Sequence, residues 1–161
     1  MLNRQKRFRL FRIPIVSICA GTLRALDREP CALTIAFVCS RTMKRMNRRY
    51  RKRDYATDVL SFGYENESDE GVPYLGDIVI AVDVACANAR RLKIPAHREV
   101  QRLLVHGVLH LLGFDHETDS GEMAQTQARL LRRTYVTDAG AVLGDRGSRG
   151  TSFAGRRVPG C

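Results

Sequence analysis

The segment from about residue 96 to residue 112 constrains the fold more than any other part of the sequence. Its second half is built almost entirely of apolar residues, namely Leu103, Leu104, Val105, Val108, Leu109, Leu111 and Leu112. A helix that is apolar on all sides has to be buried. Pro95 is favourable at the start of such a helix, and Gly113 can adopt the left-handed conformation that ends one. The sequence therefore predicts a buried central helix that ends in a sharp turn.

Segments with strand and helix character alternate around this helix. The predicted strands are an edge strand over 8–13, buried strands over 33–38 and 59–62, and a central strand over 77–82 that is apolar on both faces. The other predicted helices run from an N-cap at Ser17 to about Arg28, over 41–50, from a cap at Asp83 to about Leu92, and over 121–135. We expect an α/β (α+β) fold, with a small, mostly parallel sheet of about four strands covered by about five helices.

Length and charge limit the domain count and the partners. A chain of 161 residues with 44% hydrophobic and 27% charged residues suits one globular domain, which we expect over 1–135. Residues 136–161 are rich in Gly, Ser and Arg and predict a mobile basic tail. No apolar run is long enough to span a membrane. A formal net charge of +10 favours anionic partners such as nucleic acid.

The cysteines and the N-terminus bear on the compartment. Five cysteines are scattered without a C-x-x-C pair, at positions 19, 31, 39, 86 and 161. This pattern does not suit a disulfide framework and favours a reducing, cytoplasmic location. A basic stretch over 4–12 precedes an apolar stretch over 13–20, but Pro14 and Ser17 interrupt it, which disfavours a secretory signal.

Three of the four histidines lie within eleven residues, at His106, His110 and His116. Residues four apart project from one helix face, so two imidazoles can share an ion, and the turn at Gly113 can return His116 to them. Three neutral imidazoles suit Zn²⁺ and leave a fourth position for water, which is typical of a catalytic metal. We predict one zinc ion per chain. His97 lies outside this pattern and is expected in the core.

The segment H-G-V-L-H-L-L-G-F-D-H, from His106 to His116, resembles the motif of the YbeY family of rRNA maturation endoribonucleases. The stretch T-D-V-L-S-F over 57–62, L-G-D-I over 75–78 and the pair Tyr50-Arg51 resemble other family segments, in the family's order. The resemblance implies a cytoplasmic, zinc-dependent endoribonuclease specific for single-stranded RNA. It would act in 3′-end maturation of the small-subunit (16S) rRNA and in ribosome quality control. It implies that His106, His110 and His116 bind the metal, with His106 and Arg51 as catalytic residues.

The sequence departs from the family pattern at the edge of the expected cleft. Lys52 stands where the family often has Gly, Ala56 where it often has Pro, and Cys39-Ser40 where an acidic residue is common. The histidine motif is complete, so these departures concern the surroundings of the metal site.

A basic run independently suits an RNA partner. Eight basic residues lie between Arg41 and Arg53, with Tyr50 near them and Tyr55 just beyond. Lys and Arg at this density suit a phosphate backbone, and tyrosines can stack on unpaired bases. The candidate nucleic-acid-binding residues are Arg48, Arg49, Arg51, Lys52 and Arg53. We expect single-stranded RNA and the small ribosomal subunit as partners, with no membrane partner and no organic cofactor.

The residue pattern leaves parts of the chemistry open. The nucleophile could be metal-bound hydroxide or the ribose 2′-hydroxyl, and no general base stands out. Asp115 and Glu117 are candidates by adjacency, and Asp115 suits equally a partner that orients an imidazole. Asp58 and Asp77 are expected to cap or fix local backbone.

Two other functions compete with the endoribonuclease. Zinc peptidases also use histidines four apart, but they place Glu directly after the first one, where this chain has Gly107. A non-enzymatic RNA- or ribosome-binding assembly factor with a structural metal is the third candidate.

Overall fold

The computed structural model describes residues 14–28, 30–67, 71–115 and 118–133, and the short strands at 2–3, 135–136 and 142–143. In chain order the elements are β1 (Leu2–Asn3), α1 (Ile15–Arg24), β2 (Ala32–Val38), α2 (Ser40–Arg51), β3 (Val59–Glu67), β4 (Pro73–Ala81), α3 (Val82–Leu92), α4 (Ala96–Leu111), α5 (Glu122–Arg133), β5 (Tyr135–Val136) and β6 (Val142–Leu143).

The main sheet is mixed and has the strand order β1-β2-β4-β3. β4 pairs with β2 in parallel and with β3 in antiparallel orientation. The α+β class is confirmed, and the described residues contain the five predicted helices. The prediction of about four strands is not quite met, because three strands of the described part are full-length and β1 has only two residues. Too few residues separate β3 from β4 for a parallel crossover, so these two strands must be antiparallel.

Each face of the sheet has its own apolar core. Ile78 and Ile80 of β4 pack with α1, α4 and α5 on one face, whereas Val79 and Ala81 pack with α2 on the other. This division follows from strand geometry, since alternate side chains point to opposite faces. β4 therefore lies between two cores, as its apolar sequence predicts.

The central helix α4 is buried along most of its length. Its apolar residues from Leu103 to Leu109 are almost inaccessible to solvent, and Glu99 and Gln101 are buried with them. Gly113 has a φ of +87°, which confirms the predicted left-handed turn after the helix. In the described part of the chain, no helix is both long and apolar enough to cross a membrane.

Several predicted boundaries are corrected. α1 begins at Ile15 after an N-cap at Pro14, so Ser17 lies inside the helix and does not cap it. β3 extends for nine residues where a short strand was expected. The predicted strand over 8–13 lies outside the described residues, as does most of the predicted tail over 136–161. The pair β5 and β6 lies at the start of that tail and is antiparallel.

Candidate active site

His106 and His110 lie one turn apart on α4, and their imidazoles converge. The two Nε2 atoms are 3.1 Å apart. The ring centroids are 4.7 Å apart with the rings nearly perpendicular, at 79°. Both residues are half-buried. Two imidazole nitrogens at this distance either share a proton or bind one ion. The predicted pairing of these histidines is thus present in the structure.

Gln127 on α5 contacts His106 at Nδ1, the ring nitrogen that does not face His110. Its Oε1 lies 2.9 Å from Nδ1 of His106. A carbonyl oxygen can only accept, so this bond places the imidazole proton on Nδ1 and leaves the Nε2 lone pair directed at His110. Sequence pattern alone does not single out Gln127, because it is one of two glutamines on an amphipathic helix and only the packing of α5 on α4 distinguishes it.

The donor set fits a zinc ion as far as it is described. Zn–N bonds of about 2.0–2.1 Å in a tetrahedral arrangement place two ligand nitrogens about 3.3 Å apart, close to the observed spacing. The orientation of His106 by Gln127 is the arrangement that metal-binding histidines usually have. The predicted third ligand, His116, lies outside the described residues, and the described residues alone bring together no group of three candidate ligands.

Gly107, between the two histidines, lets α4 approach the sheet closely. A Cβ atom at this position would lie 2.8 Å from Cγ2 of Ile78 on β4. In addition, Oγ of Ser61 on β3 donates to the Gly107 carbonyl at 3.3 Å. A glutamate at position 107 would require the buried Ile78 side chain or the helix to shift, so the close packing disfavours the general base that a zinc peptidase places here.

A cleft of about 790 Å³ opens in front of the histidines. It follows β3, the edge strand, with α2 on one side and α4 on the other. Its lining from α2 to the end of β3 consists of Asn47, Tyr50, Arg51, Arg53, Tyr55 and the segment 57–63, and from α4 onward of His106, His110, Leu111, Gly113, Phe114 and Asp115.

The structure divides the predicted basic run between two surfaces. Arg51 and Arg53 line the cleft together with His106 and His110. Arg48, Arg49 and Lys52 are exposed but do not line it. Helical periodicity turns Arg49 to another side of α2 than Arg51. RNA binding by the five predicted residues stays a prediction.

Two tyrosines border the cleft. Tyr50 and Tyr55 are each more than half exposed. The Tyr50 ring packs edge-on against Phe62 with centroids 5.0 Å apart, and Nη1 of Arg53 donates to the Tyr55 hydroxyl at 3.2 Å. The buried Asn47 donates to the Tyr55 carbonyl at 2.9 Å and so fixes this segment. Both rings are anchored on one side and open to solvent on another.

Asp58 is fixed within the cleft wall. Its carboxylate accepts from the backbone of Val59 at 2.9 Å and from Asn88 at 3.1 Å, and it lies 3.7 Å from Arg102. Hydrogen bonds to the fully buried Glu99 raise the pKa of Arg102 and hold it charged. The expected backbone role of Asp58 is thus confirmed, and its oxygens are too engaged to suit a general base.

The other acidic candidates have different outcomes. The bonds described for Asp77 come from the hydroxyls of Tyr74, at 2.6 Å, and Tyr64, at 3.4 Å, so the expected backbone role is not the one found. Asp115 lines the cleft. Glu117 lies outside the described residues.

The fourth histidine, His97, was expected in the core but is only half-buried.

An open cleft that combines paired histidines with arginines suits an enzyme that acts on an anionic polymer. Residues 5–135 match the family model described as Endoribonuclease YbeY. The chain therefore belongs to the YbeY endoribonuclease family, and it is a hydrolase that acts on phosphodiester bonds of RNA. A role in rRNA processing fits this family.

Individual relatives agree with the family model. The chain is 41% identical to the endoribonuclease YbeY of Anaeromyxobacter dehalogenans over 132 residues, covering 81% of this chain and 68% of that protein. It is 45% identical to that of Campylobacter jejuni over 103 residues, covering 64% and 75%. A solution structure from Thermotoga maritima is similar with a TM-score of 0.53 at 22% identity, covering 81% and 85%, and supports the fold alone.

Proposed function

We propose that this protein is a zinc-dependent endoribonuclease specific for single-stranded RNA, which matures the 3′ end of 16S rRNA and serves in ribosome quality control. The observation that carries the proposal is the convergence of His106 and His110, at 3.1 Å, in a cleft that Arg51 also lines. Membership of the YbeY family supplies the RNA substrate.

His106, His110 and His116 are the proposed zinc ligands. Gln127 holds His106 with its Nε2 lone pair turned toward the cleft. When bound, the metal supplies a Lewis acid that stabilises charge on the phosphate and lowers the pKa of bound water toward about 7. Three histidines leave one position open for this chemistry.

Arg51 is the proposed phosphate-binding and catalytic arginine. It ends α2 and lines the same cleft as the histidines, so one RNA strand can contact both. Its planar guanidinium can donate two parallel hydrogen bonds to phosphate oxygens, and these strengthen as negative charge develops in the transition state. Arg53 adds a second positive charge beside it.

The tyrosines support the preference for single strands. Tyr50 and Tyr55 present exposed ring surface beside the cleft, where unpaired bases can stack. Bases within a duplex are already stacked on their neighbours and do not have these faces available. The cleft therefore selects RNA whose bases are free.

An RNA cleavage assay on purified protein tests the proposal. A labelled single-stranded RNA should be cut, and a duplex of the same sequence should not. Removal of metal with a chelator should stop cleavage, and added Zn²⁺ should restore it. His110→Ala should lose both activity and bound metal. Cleavage that persists in chelator, or that is equal on the duplex, contradicts the zinc and single-strand parts respectively.

A second variant tests Arg51. Arg51→Ala should lower kcat on single-stranded RNA by about a hundredfold or more while metal content stays unchanged. Arg90→Ala, an exposed arginine on α3, is the matched control and should cleave normally. Loss of metal in Arg51→Ala would show that this residue supports the site and does not act on the substrate.

A test of the proposed role in 16S rRNA maturation requires ribosomal particles as the substrate. The proposed partner is the small ribosomal subunit in the cytoplasm. Precursor small subunits incubated with the protein should gain mature 16S 3′ ends, which end mapping detects, and His110→Ala should not produce them. Correct cleavage of free RNA without any maturation of precursor particles would reject this role and leave the nuclease activity intact.

A further inference from the structure

The basic residues that do not line the cleft form a surface of their own on α2. Arg41, Arg45 and Arg48 are spaced four and three residues apart, so they lie on one face of the helix. At 3.6 residues per turn this face is about 150° from Met43 and Asn47, which are buried against the sheet. We call these three arginines the outer stripe.

The outer stripe is exposed and carries uncompensated charge. All three arginines are exposed. The ion pair described for α2 joins Lys44 to Asp54 at 3.3 Å, and within the described part of the chain no carboxylate pairs with an arginine of the outer stripe. The described hydrogen bond of the stripe is a long one, from Nη2 of Arg45 to Oγ1 of Thr42 at 3.4 Å.

The outer stripe does not stabilise α2. Like charges four residues apart repel each other, and a positive charge at Arg41 is unfavourable near the positive end of the helix dipole. The first turn of α2 contains no acidic residue of its own, and the Asp83 carboxylate at this end is hydrogen-bonded to Ser40. Since the stripe neither packs nor pairs within the described protein, its charges are available to a partner.

The positive charge of the outer stripe favours an anionic partner, and its position next to the cleft favours one that also enters the cleft. Arg51 follows Arg48 by one turn of α2 and lines the cleft, so positive charge continues from the cleft onto the outer face. From Arg41 to Arg48 the stripe extends about 10 Å along the helix, roughly the rise of three stacked nucleotides. Its spacing suits successive phosphates of one strand.

We infer that the outer stripe binds the phosphate backbone of the substrate RNA outside the cleft, so that the enzyme holds one strand at two places. The inference rests on the endoribonuclease activity of the cleft and not on the identity of its metal. Contacts to phosphates carry no base preference, so the outer stripe adds affinity for long RNA and leaves the choice of cleavage site to the cleft.

The test compares two RNAs and two variants. One RNA is a short single strand that occupies only the cleft, and the other is the same strand with a single-stranded extension at its 5′ or its 3′ end. The first variant combines Arg41→Gln, Arg45→Gln and Arg48→Gln. The matched control combines Arg90→Gln, Arg129→Gln and Arg132→Gln, three exposed arginines of α3 and α5. Both variants lower the net charge of +10 equally.

The outer-stripe variant should bind one of the extended RNAs about tenfold more weakly than the unaltered protein at moderate salt. The slope of log Kd against log salt should become shallower by about 2, since each lost contact to a single strand contributes about 0.7. Binding and cleavage of the short RNA should change less than about twofold, and the control variant should behave like the unaltered protein. The unfolding midpoint of the outer-stripe variant should not fall, because like charges have been removed.

Three results would overturn the inference. If the outer-stripe variant binds the short RNA as much more weakly as it binds the extended RNA, the lost charges act in the cleft. If the control variant loses as much affinity for the extended RNA, the loss is a consequence of net charge alone. Unchanged affinity for both extended RNAs would mean that the outer stripe is a solvated surface. Failure of the proposed function appears separately, as absence of cleavage of the short RNA by the unaltered protein.

Discussion

Gln127 decides which nitrogen of His106 faces the cleft, through the 2.9 Å contact between Oε1 and Nδ1. Gln127→Leu should therefore lower zinc affinity by about 10- to 100-fold, because the ring loses the partner that fixes its orientation and its proton. Competition with a chromophoric chelator measures the affinity directly. RNA cleavage at limiting zinc should fall in parallel.

Two companion variants distinguish orientation of His106 from general damage to α5. Gln127→Glu keeps an acceptor oxygen and should retain zinc affinity. Gln125→Leu changes an exposed glutamine two residues away and should have no effect on it. If Gln127→Glu loses zinc as strongly as Gln127→Leu, the hydrogen bond is not what supports the site.

Lys52 adopts a left-handed backbone conformation, with a φ of +58°, where it ends α2. This conformation is strained for residues with a Cβ atom, which explains why a glycine suits the position better. Lys52→Gly should raise the free energy of unfolding by about 1 kcal/mol, measured by urea denaturation.

Lys93 and Lys44 are the controls for this prediction. Lys93 ends α3 with a φ of +56°, so Lys93→Gly should give a similar gain. Lys44 lies inside α2, where glycine should lower the free energy of unfolding by about 1 kcal/mol. A loss of stability in Lys52→Gly as large as in Lys44→Gly would refute the strain argument.

At the scale of elements, Asp83 joins two helices and is not the N-cap residue of its own. The sequence predicts it as the cap of α3, but it lies within the first turn of that helix. Its carboxylate accepts from the backbone N–H of Ser40 at 2.8 Å and from the Ser40 hydroxyl at 2.6 Å. Asp83 therefore caps α2, and the sequence could not reveal this because the partners are 43 residues apart.

Asp83→Asn should lower the free energy of unfolding by about 1 kcal/mol at neutral pH, as the loss of a helix cap does. Burial raises the pKa of Asp83, but the hydrogen bonds from Ser40 and Val84 outweigh it and lower the pKa below its ordinary value of 3.8. A lowered pKa means that the stabilisation is present above that value and is lost as pH falls through the folded-state pKa.

Urea denaturation from pH 7 to acid pH checks this dependence. The difference between the unaltered protein and Asp83→Asn should be constant down to about pH 4 and shrink below it. Asp54→Asn, which removes the exposed pair with Lys44, should change stability little at any pH. A difference that grows as the pH falls would contradict the role of the ionised carboxylate.

Local pattern and long-range packing explain different parts of the fold. The apolar runs at β4 and α4 are predictable because burial on all sides leaves a clear trace in sequence. The short connection from β3 to β4 also indicates an antiparallel pair within the sheet. Gln127, Gly107 and Asp83 leave no such trace, since their partners lie on other elements.

At the scale of the whole molecule, the cleft exists because two helices flank the edge strand β3. The spacing of His106 and His110 predicts their convergence, since both lie on one helix face. Their meeting with Arg51 depends on α2 and α4 covering opposite faces of the sheet and reaching the same edge. Spacing within one helix cannot predict that relation.

A metal bound between His106 and His110 should also stabilise the molecule as a whole, because the unfolded chain does not hold these imidazoles together. With free Zn²⁺ at about 100 times its Kd, the free energy of unfolding should rise by about 2.7 kcal/mol. Thermal unfolding with and without Zn²⁺, under reducing conditions, measures this gain.

His110→Ala is the decisive control for that gain, since it removes one proposed ligand and leaves every cysteine in place. Its unfolding midpoint should not respond to Zn²⁺. Equal stabilisation of His110→Ala and the unaltered protein would place the zinc elsewhere, for example on cysteine thiols. That outcome would reject the metal centre at His106 and His110, whereas membership of the endoribonuclease family would stand, because it rests on the sequence match over residues 5–135.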